Sequence, residues 1–475
     1  MKKFFISCAY VYPLCPLSLN HAKMFIVGDI IARNARDKGK DVFFPIAMHY
    51  SGNSVQNISK IFAKLFSNNN TVGNNKEKRI LDLYQNIYST PTAALKTFVH
   101  PLNILDFYSQ EILWELKSLD ISCDYEHYYT TRHKDFSIFI NTIISIYKKN
   151  NLLVNNKSGG MALDYNNNKW RKKALALLNR TEFIQSFHKN NIISAIKDVR
   201  TDWALLKKDG FGVIYKEKYV IDPMFDSEIF TIFDLYARFK NEFKKRSINT
   251  EDFFKNLFRV LKNKKKSENI LINKIISFLP CDVFISEEHL KNWTVKKIYS
   301  ESLLLDKRYQ TKEYFILGMG FLDGKQMSAS KGHAVLAKDL INHYGPTKAR
   351  LIILLGGGHP SKMYEYDKTL PVQADKLLNN FVSHYTHLSS IVGNKNCGNE
   401  SRQKSQAVEL ICSNIQKNIE KGYFRQAIIE LLSILPKEYY KSPTIRTVRI
   451  LISAYKKYSD ILLPSLLKFR VLKKC

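Results

Sequence analysis

Short apolar runs and helical stretches alternate through the first third of the chain. Residues 4–10 form an apolar run that predicts a buried strand, and a loop holding Pro13 and Pro16 follows it. Apolar positions then recur at helical spacing over about 21–38, return as a run over 41–49, and take helical spacing again over about 55–66. A helix of that length between two short apolar strands implies parallel pairing and an α/β sheet. The Asn-rich stretch 67–75 predicts a surface loop. Helical periodicity resumes over 104–118 and 136–149, and 169–205 also reads as helical. Between them, 151–168 is rich in Asn and Gly with little pattern and reads as a linker, or the stump of something absent. A short strand is expected at 218–221, an amphipathic helix at 226–244, and buried strands at 282–286 and 315–322. Beyond Pro346 the pattern is helix after helix to Cys475, with breaks at 356–360, 393–400 and Pro436. The expected plan is therefore a parallel α/β body in two halves, 1–150 and 169–345, joined by the 151–168 linker and followed by an all-helical region, 346–475.

Composition narrows the class. With 475 residues, 45% of them apolar and 12% aromatic, the chain can bury a large core and is not globally disordered. No apolar run approaches the roughly 18 residues of a membrane span. The best candidate, 136–147, is broken by Ser137, Asn141 and Ser145. Lys2-Lys3 ahead of an apolar run imitates a secretory signal, but Pro13 and Pro16 interrupt it and no small-residue cleavage site follows, which favours the strand. The seven cysteines (8, 15, 123, 281, 397, 412 and 475) contain no CxxC pair, against a zinc knuckle. Their odd, sparse set also argues against a disulfide framework and suits a reducing cytoplasm. No metal site of the protein's own and no membrane contact are expected. The formal net charge of +30 attracts polyanions, nucleic acid first, with dense clusters at Lys244-Lys245-Arg246 and 262–266. The same abundance of Lys, Asn and Ile is what AT-rich coding produces, and many lysines are then merely solvated.

In an open parallel sheet, ligands bind at the carboxyl ends of strands. Two segments fit that position. Pro16-Leu17-Ser18-Leu19-Asn20-His21 lies between the first strand and its helix, where free amides and the positive end of the helix dipole favour a phosphate. A polar loop that only caps the helix reads the same way. The second segment, 324–333, follows the apolar run 315–322 and precedes a helix. Its two glycines, two serines and two lysines make a loop able to wrap a polyphosphate. By composition alone, a solvated hairpin-like connection is an equal reading.

Together the two segments resemble the paired signatures of class I aminoacyl-tRNA synthetases. The family's HIGH element appears as Ser18-Leu19-Asn20-His21, and its KMSKS element as Gln326-Met327-Ser328-Ala329-Ser330, continued by Lys331-Gly332. Further matches point to the leucyl branch in its archaeal and eukaryotic form. Residues 44–55 resemble that branch's FPFAFHVTGTPI, and the segment from Leu95 to Thr131 resembles its LKTF…FYTT block. Residues 219–230 resemble its WIIESLSDSTIY. The resemblance runs from about residue 4 to 360 and implies a Rossmann-like parallel-sheet catalytic domain followed by a helical anticodon-binding-like bundle. It also implies ATP with Mg²⁺, leucine or a similar aliphatic amino acid, and tRNA as partners of a cytoplasmic monomer. The 151–168 linker stands where leucyl enzymes carry a large editing domain.

By the same match, Ser18 and His21 would be donors near the phosphates, with Asn20 where the adenine rests. Lys331, with Lys325, would neutralise departing pyrophosphate, while Met327, Ser328 and Ser330 would shape the loop. Glu288 and His289 would lie near the adenosine, and Tyr10, His49, Asp226 and Ser227 would line the amino-acid site. The motifs depart from the family's pattern: Ser18 replaces a His, Asn20 a Gly, and Gln326 and Ala329 both lysines of KMSKS. Three readings stay open. One is an editing-free leucyl-tRNA synthetase-like ligase; another adenylates an amino acid for a small molecule, peptide or carrier; the third is an inactive relative that binds tRNA or a protein.

Overall fold

Phe5, Ile6, Ser7 and Cys8 are all buried, so β1 (Lys3–Cys8) is covered on both faces, as a central strand of a parallel sheet must be. The computed structural model describes residues 1–67, 74–156, 160–199, 203–244, 248–263, 267–392, 402–441 and 444–468. Cys397, Cys475, Lys245-Arg246, residues 264–266, most of the 67–75 loop and the 393–400 break lie outside them. Cys8, Cys15, Cys123, Cys281 and Cys412 are free thiols.

After β1, Ser18 caps α1 (Leu19–Asp37), and Gly39, at φ 72°, lets the chain turn out of that helix. Strand β2 (Asp41–Phe43) returns parallel to β1. The expected single strand over 41–49 is in fact two. The chain leaves the main sheet at Phe44, because Pro45 has no N–H to continue a ladder. Strand β3 (Pro45–Met48) pairs instead, in parallel, with β4 (Asp124–Thr130). Helices α2 (Asn53–Ser67) and α3 (Pro101–Ser118) lie between them in sequence, and α4 (Lys134–Lys149) follows.

The stretch expected as a linker holds a short antiparallel hairpin, β5 (Leu153–Asn155) and β6 (Met161–Leu163). The expected helical block 169–205 is α5 (Asn168–Arg180) and α6 (Ser186–Lys197), split by the two-residue β7 (Glu182–Phe183), which joins the edge of the main sheet. A small antiparallel sheet follows, made of β8 (Leu206–Lys207), β9 (Ile214–Tyr215) and β10 (Tyr219–Ile221). The helix expected at 226–244 is α7 (Phe230–Lys244), preceded by a separate turn at Pro223–Asp226. Helices α8 (Thr250–Asn263) and α9 (Ile270–Ser277) were not anticipated by the sequence reading.

Strand β11 (Val283–Glu287), helix α10 (Lys291–Leu304) and strand β12 (Glu313–Leu317) complete a five-stranded parallel sheet in the order β2-β1-β11-β12-β7. The expected strand 315–322 divides at Gly318, where a Cβ would stand 2.3 Å from the Lys362 backbone. Strand β13 (Gly320–Leu322) turns into β14 (Lys325–Gln326) and pairs on its other side with β15 (Tyr364–Glu365).

Helices α11 (Ala337–Tyr344), α12 (Pro346–Leu355), α13 (Leu370–Val392) and α14 (Arg402–Glu420) lead to a helix beginning at Phe424. That helix does not break at Pro436. A wide π turn over Glu430–Ile434 lies just ahead of the proline, and helix resumes over Leu435–Lys441. The last long helix is α15 (Ile445–Leu462). No helix among the described residues is long and apolar enough to cross a membrane.

A buried carboxylate fastens the helical region to the sheet. Asp29 on α1 accepts from Arg350 Nη2 of α12 at 2.7 Å, from Arg33 Nε at 2.9 Å and from the Ser122 N–H at 2.7 Å. Arg350 also donates to the carbonyls of Leu119 and Leu462, at 2.8 and 2.9 Å. Burial alone pushes the Asp29 carboxyl up, but the two guanidinium groups outweigh it and hold it below the usual range. Arg350→Met would leave that carboxylate with one cation and strand two carbonyls. The expected loss is about 3–5 kcal/mol in urea unfolding, and Asp29→Asn in the same background should recover part of it.

Candidate active site

Backbone pairing brings the two motif segments together. The Leu19 N–H donates to Val335 O at 2.8 Å, and the Ala337 N–H donates to Leu17 O at 2.8 Å. The loop after β1 is thereby bound to the stretch that follows the second motif. Ser18 Oγ accepts from the His21 N–H at 3.4 Å and lies 3.1 Å from His21 Nδ1, which satisfies one of the free amides at the start of α1.

His21 faces a carboxylate that sequence reasoning missed. Its Nε2 stands 4.0 Å from Glu287 Oε2, and His289 Nδ1 stands 3.0 Å from the same oxygen. Glu287 is buried at the carboxyl end of β11, with Oε1 lacking any hydrogen-bond partner. Burial pushes this carboxyl up, but His21 and His289 outweigh it and hold it below its ordinary range. Burial likewise lowers His289, yet Glu287 prevails and raises it. Glu288, chosen from the sequence, lies instead beside His188 and Lys291. The strand runs one residue beyond its apolar run, so Glu287 rather than Glu288 ends it.

The second motif begins as a tight hairpin. Asp323 and Gly324, at φ 50° and 71°, both adopt the left-handed conformation that a two-residue turn between β13 and β14 requires. The hairpin-like character expected from composition is thus real for 320–326. Beyond it, Ser328 and His333 exchange backbone hydrogen bonds of 2.6 and 3.1 Å around a turn at Ala329–Lys331. Tyr88 OH donates to Ala329 O at 2.8 Å, and Ser328 Oγ lies 3.3 Å from Ser330 Oγ. Met327 is buried against Gly320, where an added Cβ would stand 2.3 Å from Met327 Cε and 2.6 Å from Asn20 Oδ1. Asn20 and Met327 therefore share one notch. The Asn20 side chain is turned toward Tyr364, whose OH donates to its Oδ1 at 2.7 Å. Lys325 and Lys331 are exposed and have no carboxylate partner among the described residues.

A cavity of about 380 Å³ opens beside this crevice. Its walls include Tyr12, Trp203, Met224, Leu290 and Trp293, and the Lys207–Asp222 ion pair of 2.6 Å. Three residues chosen from the sequence, Tyr10, His49 and Ser227, line it, and the fourth, Asp226, is buried against His49. Tyr10 is stacked between His49, at 5.6 Å between ring centres, and Phe230, at 3.8 Å. His49 Nε2 lies 2.6 Å from Asp226 Oδ1, and Asp226 Oδ2 has no partner. Burial pushes the Asp226 carboxyl up, against the opposing pull of His49. Ser227 Oγ accepts from Trp293 Nε1 at 2.9 Å. Behind the cavity, Tyr10 OH meets Tyr129 OH, which donates to Asp234 at 2.8 Å. Tyr12, Trp203 and Trp293 carried no sequence signal beyond being aromatic.

The architecture has solved counterparts. Mycobacterium tuberculosis methionyl-tRNA synthetase in complex with methionyl-adenylate superposes with a TM-score of 0.67 at 14% identity, over 98% of this chain and 93% of that one. The fold is that of a class I aminoacyl-tRNA synthetase. Sequence kinship points to the leucyl branch. A stretch of 139 residues is 32% identical to leucine–tRNA ligase 2 of Sulfolobus acidocaldarius, and one of 139 residues is 29% identical to leucine–tRNA ligase of Archaeoglobus fulgidus. Each match covers 29% of this chain and only 14% of the relative. No family model matches. Unlike the expected empty linker, the synthetase fold here carries the β5–β6 hairpin between α4 and α5.

Lys23, one residue beyond Ala22 in α1, is buried below the first motif. Its Nζ donates to Gly356 O at 2.8 Å and lies 3.8 Å from the Tyr364 ring centre. Burial lowers this amine from 10.5 to about 7. Between those values the unfolded chain holds a proton that the folded protein does not, so stability rises with pH across that window. Raised groups such as the Glu115 carboxyl and the Cys15 thiol act with the opposite sign, so the measure is a difference: in urea unfolding at increasing pH, wild type should gain stability relative to Lys23→Met by up to ~1.4 kcal/mol per pH unit.

Proposed function

We propose that this chain is a leucyl-tRNA synthetase-like ligase that activates leucine, or a similar aliphatic amino acid, with ATP and transfers it to tRNA. The observation that carries this reading is the adjacency of two sites. The His21–Glu287–His289 cluster lies at the ends of β1 and β11, next to a cavity walled by aromatic and apolar side chains, and the stretch after the lysine-bearing loop is paired to the first motif beside it.

The amino-acid carboxylate attacks the α-phosphorus of ATP, and pyrophosphate leaves with the bond's electrons. No protein nucleophile takes part, so catalysis rests on positioning and on donors aimed at the phosphate oxygens. Ser18 and His21 supply such donors at the start of α1, where the helix dipole adds to them. Lys331, with Lys325, meets the charge of the pyrophosphate, which arrives with Mg²⁺ as part of the substrate. His49 at the cavity wall, paired with the buried Asp226, suits the substrate's ammonium group. A ribose hydroxyl of tRNA then takes the acyl group.

A second acceptor is favoured by one feature. Between α4 and α5 the chain makes only the β5–β6 hairpin, and a leucine pocket alone rejects a side chain one methylene different by only about 1–3 kcal/mol. Such laxity suits transfer to a small molecule, peptide or carrier.

Leucine-dependent exchange of pyrophosphate into ATP is the expected activity, measured across a panel of amino acids. His21→Ala should lower kcat/KM by about 10²–10³-fold, and Gln326→Lys should raise kcat by restoring a charge at the leaving group. Absence of exchange with every amino acid would refute adenylation and leave the inactive-relative reading.

A further inference from the structure

Glu115 on α3 touches the first motif segment and the helix that follows the second. It is completely buried, and its two carboxylate oxygens go to two different places in the chain. Oε2 accepts from the Leu17 N–H at 2.9 Å, immediately before Ser18. Oε1 accepts from the Lys338 N–H at 3.1 Å, in the first turn of α11, which follows the lysine-bearing loop. The first amides of a helix have no partner within it, and α11 begins at Leu336 without a side-chain cap of its own. A carboxylate from α3 fills that role from more than two hundred residues away.

We propose that Glu115 is a positioning residue for the nucleotide: by bonding both backbones, it sets the separation of the Ser18–His21 and Lys331 loops and hence the affinity for ATP. This rests on the reading of the crevice as an ATP site. Two features of the group argue for more than space-filling. Only a carboxylate accepts on both oxygens, and an amide in its place would turn an N–H against one of the two backbone donors. Burial also pushes its carboxyl up to about 8, against the pull of the two amide hydrogen bonds, so the paired contacts belong to the ionised form that prevails above that pH. Its surroundings hold Lys338 from a second side: Lys338 Nζ donates to Glu111 Oε1 at 2.8 Å and to Tyr88 O. The side-chain grip and the backbone grip on α11 are therefore separable by mutation.

Pyrophosphate exchange with ATP varied tests the role. Glu115→Gln is expected to raise KM for ATP about tenfold, with kcat and KM for the amino acid changed less than about threefold. Glu111→Gln removes the ion pair but neither amide contact, and is expected to lower Tm while leaving KM for ATP unchanged. An unchanged KM for ATP in Glu115→Gln, or a fall in kcat that only follows the folded fraction, overturns the proposal while the ATP reading stands. Calorimetry of wild type with ATP separates the two claims, because a wild type that binds no ATP defeats the reading of the crevice itself. Amide hydrogen exchange at Leu17 and Lys338 serves in either case. Faster exchange at both in Glu115→Gln than in wild type supports the positioning role, and equal rates overturn it.

Discussion

The crossing of residues 17–19 with 335–337 is the contact on which the crevice depends. The two segments are more than three hundred residues apart in sequence, and each would otherwise be a surface loop with free amides. Pairing them commits the end of β1 and the start of α11 to one geometry, and everything nearby is arranged around that commitment. Gly320 is bare because Asn20 and Met327 meet over it, and Tyr364 turns to hold Asn20. Gly318 is bare because the chain at Lys362 passes against it. Side chains at either glycine would push the β13–β15 sheet off the first motif.

The helical region takes part in this arrangement through buried charge. Asp29 sits three turns into α1, so the network it forms with Arg33, Arg350 and Ser122 holds the helix that begins at the first motif. Carbonyls of Leu119 and Leu462 complete the arginine's donors, which draws α3 and α15 to the same point. A buried ion pair adds little net stability over apolar packing, but it tolerates few alternative geometries.

Much of this was legible in the chain. The order strand, loop, helix, strand at the start, the buried run at 282–286 and the two motif loops follow from apolar spacing and turn residues. What was hidden has physical reasons. Strand β4 reads as polar because only Tyr129 of its seven residues is buried, and it pairs only with the four-residue β3. A two-residue strand such as β7 leaves no period to detect, and it hid inside a helical block. Helix α8 has a clear apolar face in Phe253, Phe254, Leu257, Phe258 and Leu261, but it lies between two lysine clusters that drew the reading toward charge. In the site, Tyr10, His49, Asp226 and Ser227 were found through their likeness to a family, not through spacing. Glu287 was missed by one residue, and Glu115 looked like any acid on a helix, since only the fold brings its two amide partners to it.

Lys325 on β14 and Lys331 on the turn beyond it are exposed and form no ion pair among the described residues, the nearby Asp323 being held by Lys368 and Glu365 by the Gly324 N–H. No existing ion pair has to be broken before they can meet an anion, which makes them ready counter-charges. The same openness leaves them bathed in bulk electrolyte. At physiological ionic strength, fields from exposed charges fade over about 8 Å. The attraction of this loop for any anion is therefore short in reach and sensitive to ambient salt, while the buried Glu287 carboxylate is less screened.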